Sequence, residues 1–368
     1  MKGILAGQSG GTDLISANDN AFFSYGLENS LIAPTCASCA EKYANGLNAL
    51  IAGSKTHLRV AGVEYCFWIA SGKETDVVDF FDAPDPEQAK RLMDSVRAGR
   101  AASLLLDPEP FYALALSGNG ARAVVLAWID TTLGNARTRI AEYFAAQALV
   151  ALDGSEGTPY RLRAIANAMV RDPAKQQPPR SATSSLLRFA LTGTPLPLDL
   201  LNQAVLRCRA EQGVRRDRAA LIKTVLVANG WIDSRGGRFE MLDENNKEPA
   251  YVCGRLLAVL DAIQYQAQGA VGSSVIDRFY GAASATPAKV FGLLIRNSQN
   301  HLKKMRRDNK DGAAEALGRR LEELTDLMDA KIGYPPALGL EGQGKFAIGF
   351  YHQRAEDRRR REAAIEAR

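Results

Sequence analysis

Apolar and polar positions follow one rhythm in the first third of the chain and another beyond it. Within 38–52, Leu47, Leu50 and Ile51 fall at helical spacing with few breakers, which predicts a helix. Tyr65-Cys66-Phe67-Trp68-Ile69 is aromatic and β-branched and predicts a buried strand. The stretches 111–116 and 121–130 predict two more strands. Ser117-Gly118-Asn119-Gly120 joins them with residues that accept positive φ, so the pair reads as a hairpin. A loop is expected over 82–86 and a surface helix over 86–97.

From Asn135 onward the rhythm is helical. In 139–152, Ile140, Phe144, Ala148 and Leu152 lie near helical spacing, and Pro173, Pro178 and Pro179 then interrupt 172–180. Helices are expected over 198–209 and 217–228. The stretch 230–249 holds Gly236-Gly237 and Asn245-Asn246 and reads as a linker. Four apolar stripes follow: Val252, Leu256, Val259, Leu260 and Ile263; then Val290, Leu293 and Leu294; then Leu317, Leu321, Leu324 and Leu327; then Phe346, Phe350 and Tyr351. Short connections between such stripes favour an antiparallel bundle. The expected fold is α+β: a mixed α/β domain over 1–134, a helical region over 135–229, a linker over 230–249 and an antiparallel helical bundle over 250–368. No internal repeat is seen.

Composition changes this picture little. With 368 residues, 46% hydrophobic and 24% charged, the chain can bury a core without disulfides or metals. No apolar run reaches membrane-spanning length, so no membrane association is expected, and the first residues are too polar for a signal peptide. Cys36, Cys39, Cys66, Cys208 and Cys253 are odd in number and scattered, which argues against a disulfide framework and for a reducing cytoplasm.

Charge distribution says more. The net charge is +5, and the acidic stretch 74–94 (Asp76, Asp79, Asp82, Asp85, Glu87) precedes three basic ones at 207–223, 289–310 and 354–361. Phosphate is the commonest partner of such segregated positive charge, because each contact releases condensed counterions. On one predicted helix Arg296, Lys303, Lys304, Arg306 and Arg307 follow one another with Asp308 the nearest acid; Arg296, Lys303 and Arg307 share a face while Val290, Leu293 and Leu294 turn to the core. Arg215, Arg216, Arg218 and Lys223 form a second candidate group, in which Arg216 or Arg218 could instead pair with Asp217 or Glu211. Arg358 to Arg361 read equally as a contact or as a solvated tail.

Signals for catalysis are weak. Gly7-Gln8-Ser9-Gly10-Gly11 has the G-x-S-x-G form, yet it lacks a clear strand before it and a helix after it; the available bases are His57, His301 and His352. A flexible Gly/Ser loop is the simpler reading. Cys36-Ala37-Ser38-Cys39 is a lone C-x-x-C; structural zinc wants four ligands, and Pro34-Thr35 is a poor match to a thioredoxin-like context. Two small side chains near a helix start are the bland alternative. No phosphate-binding glycine loop or metal-nuclease cluster occurs, so no cofactor, metal or catalytic residue is expected.

Two segments go beyond general physics: Asp277-Arg278-Phe279-Tyr280-Gly281-Ala282-Ala283-Ser284-Ala285-Thr286-Pro287 and Gln343-Gly344-Lys345-Phe346-Ala347-Ile348-Gly349-Phe350-Tyr351-His352-Gln353-Arg354. They resemble signature stretches of the large subunit of the type I-C CRISPR Cascade complex. So do Leu14-Ile15-Ser16 through Ala21-Phe22-Phe23-Ser24-Tyr25-Gly26, then Phe67-Trp68, 219–223, and Tyr251-Val252-Cys253-Gly254-Arg255-Leu256, in matching order over nearly the whole chain. Ala17, Phe279 and Phe350 depart mildly from the family's usual residues. The larger departure is a substantial N-terminal region that the family normally carries before the segment starting here, where recognition of the protospacer-adjacent motif would be placed.

The resemblance implies a non-catalytic subunit that sits with crRNA, backbone, crRNA-end and small subunits, holds target DNA in the R-loop and docks a helicase–nuclease. The alternative is a protein–protein scaffold without nucleic-acid contact. The bundle over 250–368 resembles a Cascade small subunit, with Met241 as a candidate internal start. Gly281 to Ala285 are small enough for close packing, and Thr286-Pro287 reads as an N-cap with proline at the first helical position. Arg278 is the candidate contact of the first motif. In the second, Phe346 and Phe350 are expected in the core, with Tyr351, His352 and Arg354 more exposed and Tyr351 available to stack on a base.

Overall fold

Strand pairing organises the first part of the chain. In the computed structural model, which describes residues 4, 7, 10–15, 19–97, 107–234, 237–328 and 333–366, strands β1 (His57–Val60), β2 (Val63–Ile69), β3 (Pro110–Asn119) and β4 (Arg122–Thr132) form one antiparallel sheet in the order β1-β2-β3-β4. The expected hairpin is there. Its turn is tighter than the sequence suggests: Ser117 to Asn119 continue β3, and Asn119 pairs with Arg122 around Gly120, whose φ is +59°. β1 lacks a long apolar run of its own and is held by pairing to β2 through Ala61 and Gly62, both at positive φ, as a tight two-residue hairpin requires. Gln8, Ser9, Ser16, Ala17, Asn18 and Gly236, which carried parts of the sequence reading, lie outside the described residues.

Side chains alternate across the sheet, so β2 feeds two cores. On one face Cys66 joins Leu114 and Leu116 against Leu47 and Ile51 of α1 (Ala37–Ala52). On the other, Phe67 stacks on Phe111 and on Phe81 of α2 (Val77–Asp82), and Phe81 leads through Tyr143 to Phe189. Helix α3 (Pro86–Arg97) has the bounds expected of the surface helix. Three more helices follow: α4 (Leu133–Gln147), α5 (Leu162–Asn167) and α6 (Arg180–Thr192). The last is not foreshadowed, because prolines precede it and serines fill its first turns; Leu186, Leu187 and Ala190 nevertheless bury one face, and Gly193 ends it at positive φ.

The remaining helices are α7 (Leu198–Glu211), α8 (Arg216–Ala228), α9 (Pro249–Gln268), α10 (Val275–Ala285), α11 (Pro287–Arg307), α12 (Asp311–Asp326) and α13 (Leu340–Glu366). The architecture is thus α+β, with a single described sheet early in the chain and helices after it. The chain divides into two compact units. One comprises Met1–Tyr143, Arg161–Ala166 and Gln177–Thr194; the other comprises Phe144–Tyr160, Asn167–Gln176 and Pro195–Arg368. In sequence the first carries 16 Lys and Arg against 16 Asp and Glu, and the second 30 against 25, so the whole net charge belongs to the second.

Helix α9 is the centre of the second unit, buried on all sides from Ala250 to Leu260. It meets α13 at backbone contact. A Cβ on Gly254 would lie 2.0 Å from the Phe346 carbonyl oxygen, and one on Gly349 would lie 2.1 Å from that of Tyr251. Both glycines are therefore packing requirements. Tyr280 stands edge-on to Phe346 and Phe350, with ring centroids 5.7 and 5.4 Å away. Much of the motif wording in these segments shapes this crossing. The stretch expected as a linker is tied onto α9: the Arg255 guanidinium donates to the carbonyls of Asp243 and Glu244 at 3.2 Å each, and Tyr251 Oη accepts from the Asp243 N–H.

Candidate nucleic-acid interface

The two basic groups expected to meet phosphate have opposite surroundings. Arg218 and Lys223 of α8 are fully buried. Arg218 pairs with Glu211 at 2.5 Å and donates to the Ala168 carbonyl at 3.0 Å. Burial alone would raise the Glu211 carboxyl; Arg218 and Arg207 outweigh that and hold it below the usual range. Lys223 Nζ donates to the carbonyls of Ala145 and Ala148 at 3.0 and 2.7 Å, filling acceptors that the end of α4 leaves open. Arg216 donates to the carbonyls of Leu149 and Thr158 and lies 4.6 Å from the Tyr160 ring centre. Arg215 is exposed but bonded to Asp217. As α8 stands, Arg216, Arg218 and Lys223 are internal braces, so their expected exposure is corrected: each finds carbonyl or carboxylate partners far away in sequence.

A second correction concerns α13. Tyr351 and His352 are fully buried. Tyr351 Oη donates to the Val150 carbonyl at 2.7 Å, and His352 Nδ1 lies 2.9 Å from Tyr251 Oη. Burial, with Lys223 and Arg255 nearby, pushes the His352 imidazole down to about 3, so it is neutral in the folded chain. Neither ring can stack on a base without opening the bundle. Phe346 and Phe350 are core residues as expected, and Arg354 is exposed with its guanidinium 5.6 Å from the Phe350 ring centre. Beyond it, Arg358 pairs with Glu362, Arg359 with Glu356, and Arg360 with Glu356 and Glu244. Most of that charge is answered within the chain.

Helix α11 is different. It contains no acid from Pro287 to Arg307. Val290, Phe291, Leu294, Ser298, Leu302 and Met305 face inward, and Arg296, Lys303, Arg306 and Arg307 are exposed without an ion pair among the described residues. Lys304 is bonded to Asp308, whose carboxyl this interaction lowers. Leu293, expected in the core, is instead 42% exposed on the outer face. Lys289 opens the basic stretch 289–310 without having been counted among the candidate contacts; it sits seven residues before Arg296 and is exposed. A 3.6-residue period puts it on the same face. Lys289, Arg296 and Lys303 recur about every 10.5 Å along the axis. That is close to three nucleotide steps at about 3.4 Å per strand.

Next to α11, α12 exposes Glu315, Glu322, Glu323 and Asp326, with Glu315 paired to Arg319. Arg278 is exposed and donates to the Ser273 carbonyl at 2.9 Å. Thr286 stands at the N-cap of α11 ahead of Pro287, but its hydroxyl turns back to the Ala282 carbonyl of α10 and makes no cap bond.

The whole arrangement has a family counterpart: the family described as CRISPR-associated protein (Cas_Csd1) matches residues 1–357. The chain belongs to that family. No individual curated protein matches it. Membership makes this Csd1 chain a CRISPR-associated Cascade subunit. The match covers the sheet, the buried α8 cations and the α11 face alike. Among the described residues of the Csd1 chain no group of three or more His, Cys, Asp or Glu side chains is placed to hold a metal, and no helix is long and apolar enough to cross a membrane.

Proposed function

We propose that this chain is the non-catalytic large subunit of a crRNA-guided type I-C interference complex, and that the outer face of α11 holds a nucleic-acid strand by its phosphates. The carrying observation is the acid-free run from Pro287 to Arg307 with Arg296, Lys303, Arg306 and Arg307 exposed and unpaired among the described residues. Guide pairing reads sequence in such complexes, so the protein needs backbone contacts more than base contacts. Regularly spaced cations supply those contacts. Stabilisation of the R-loop and docking of the helicase–nuclease belong to the same reading, with the other Cascade subunits, crRNA and target DNA as partners.

Arg296→Glu, Lys303→Glu and Arg307→Glu combined in the assembled complex test it. Affinity for single-stranded DNA should fall at least about tenfold, and the salt slope should shrink by about 0.7 for each phosphate no longer neutralised. Unchanged affinity and slope reject the α11 face. The exposed Leu293 within the stripe favours a second reading, an acidic protein partner with an apolar anchor. Nuclease treatment of the complex separates the two: release of the chain supports the nucleic-acid reading, and retention supports the protein scaffold.

A further inference from the structure

Of the five cysteines, Cys66, Cys208 and Cys253 are buried and Cys36 and Cys39 are exposed. The exposed pair opens α1. Cys36 is the N-cap of this 16-residue helix, and its Sγ accepts a hydrogen bond from the Cys39 N–H at 3.4 Å. Serine or aspartate oxygen usually does this work. Sulfur does it far better as thiolate than as thiol, because the N–H groups of a helix start favour negative charge. Cys39 stands one turn further on, and both side chains are exposed. The Cys39 backbone N–H holds the Cys36 thiol below its ordinary value, and the proximity of Cys36 holds the Cys39 thiol above it. One sulfur is thus prepared to attack and its neighbour keeps a proton until needed. The three buried thiols are held protonated, pushed up to about 12 by burial.

We propose that Cys36 and Cys39 are a redox-active dithiol that closes reversibly to a disulfide by exchange with a low-molecular-weight disulfide. The Cys36 thiolate attacks one sulfur of, for example, oxidised glutathione; that S–S bond breaks and one glutathione leaves as thiolate and takes a proton. Cys39 then loses its proton to solvent and attacks Cys36 in the mixed disulfide, releasing the second glutathione. The protein loses two electrons and two protons, and the small disulfide gains them. Exposure of both sulfurs admits a small thiol to reverse the reaction. The site needs no third ligand, unlike the zinc reading of the same motif, and it is independent of the α11 face.

Peptide mass spectrometry of the full chain after incubation with oxidised glutathione tests this. The peptide holding both cysteines should lose two hydrogens and regain them with dithiothreitol, while Cys66, Cys208 and Cys253 stay unmodified. Cys39→Ser should trap one glutathionyl group on Cys36. In the reduced, unaltered chain, iodoacetamide at neutral pH should alkylate Cys36 before Cys39. Absence of the internal disulfide under excess oxidant, glutathionyl groups on both cysteines of the unaltered chain, or faster alkylation of Cys39 overturns the proposal.

Discussion

Helices α8 and α11 are both rich in cations and turn them in opposite directions. In α8, Arg218 and Lys223 point inward to carboxylate and carbonyl oxygens. In α11, Arg296, Lys303, Arg306 and Arg307 point outward. The difference lies in what surrounds the helix. Almost every side of α8 from Arg218 to Leu226 is buried, so any cation there must be paired inside. Only one face of α11 is buried, and its cations cost nothing to leave in water. A basic stretch therefore marks a surface only when the apolar pattern leaves its helix a free face.

The largest difference between the two helices should appear at Arg218. Arg218→Met removes the buried partner of Glu211 and leaves the Ala168 carbonyl unanswered. Glu211 keeps Arg207 as a partner, so urea unfolding should show a loss of about 1–3 kcal/mol, set mainly by the buried carbonyl. The triple α11 variant should stay within about 0.5 kcal/mol of the parent chain. If the folded fraction of Arg218→Met bound nucleic acid as weakly as the α11 variant, the division between brace and surface would fail.

Acid sharpens the same contrast. The His352 imidazole is held at about 3, below its ordinary value near 6.5, because charging it inside the bundle is unfavourable beside Lys223 and Arg255. The unfolded chain takes up a proton that the folded chain refuses. This contribution to stability is therefore complete above pH 6.5 and falls as the pH drops toward 3. At pH 5 the loss is about 2 kcal/mol. Urea midpoints between pH 7 and pH 5 should fall more steeply for the parent chain than for His352→Gln; equal slopes would contradict the buried neutral ring. The smallest effect belongs to the tail. Arg358→Gln breaks an exposed pair with Glu362 and should shift stability by less than about 1 kcal/mol in the same titration.

Much of the fold was legible from periodicity. Strands β2, β3 and β4, the hairpin between the last two, α3, and the buried stripe of α9 follow from local pattern, because each buries side chains at the period of its own element. Helix α6 and strand β1 did not, since one begins in serines after prolines and the other exists by pairing. At the candidate site, α11 was legible as a basic helix with an apolar side. Lys289 could have been found by extending that period one step, whereas the outward turn of Leu293 could not.

The α+β order, the separation of charge along the chain and the acid-free run of α11 were legible before any fold was known, because composition and spacing carry these directly. The family match then drew on wording that spans residues 1–357. Which cations lie at the surface was set by packing between distant segments. Lys223 meets Ala145 and Ala148 across 78 and 75 residues of chain, and Arg218 meets Ala168 across 50. Partners so distant leave no mark on local spacing. The same holds for Tyr351 and His352, which share a motif with the exposed Arg354 but lie where α13 turns toward the core, a direction set by two glycines at its crossing with α9.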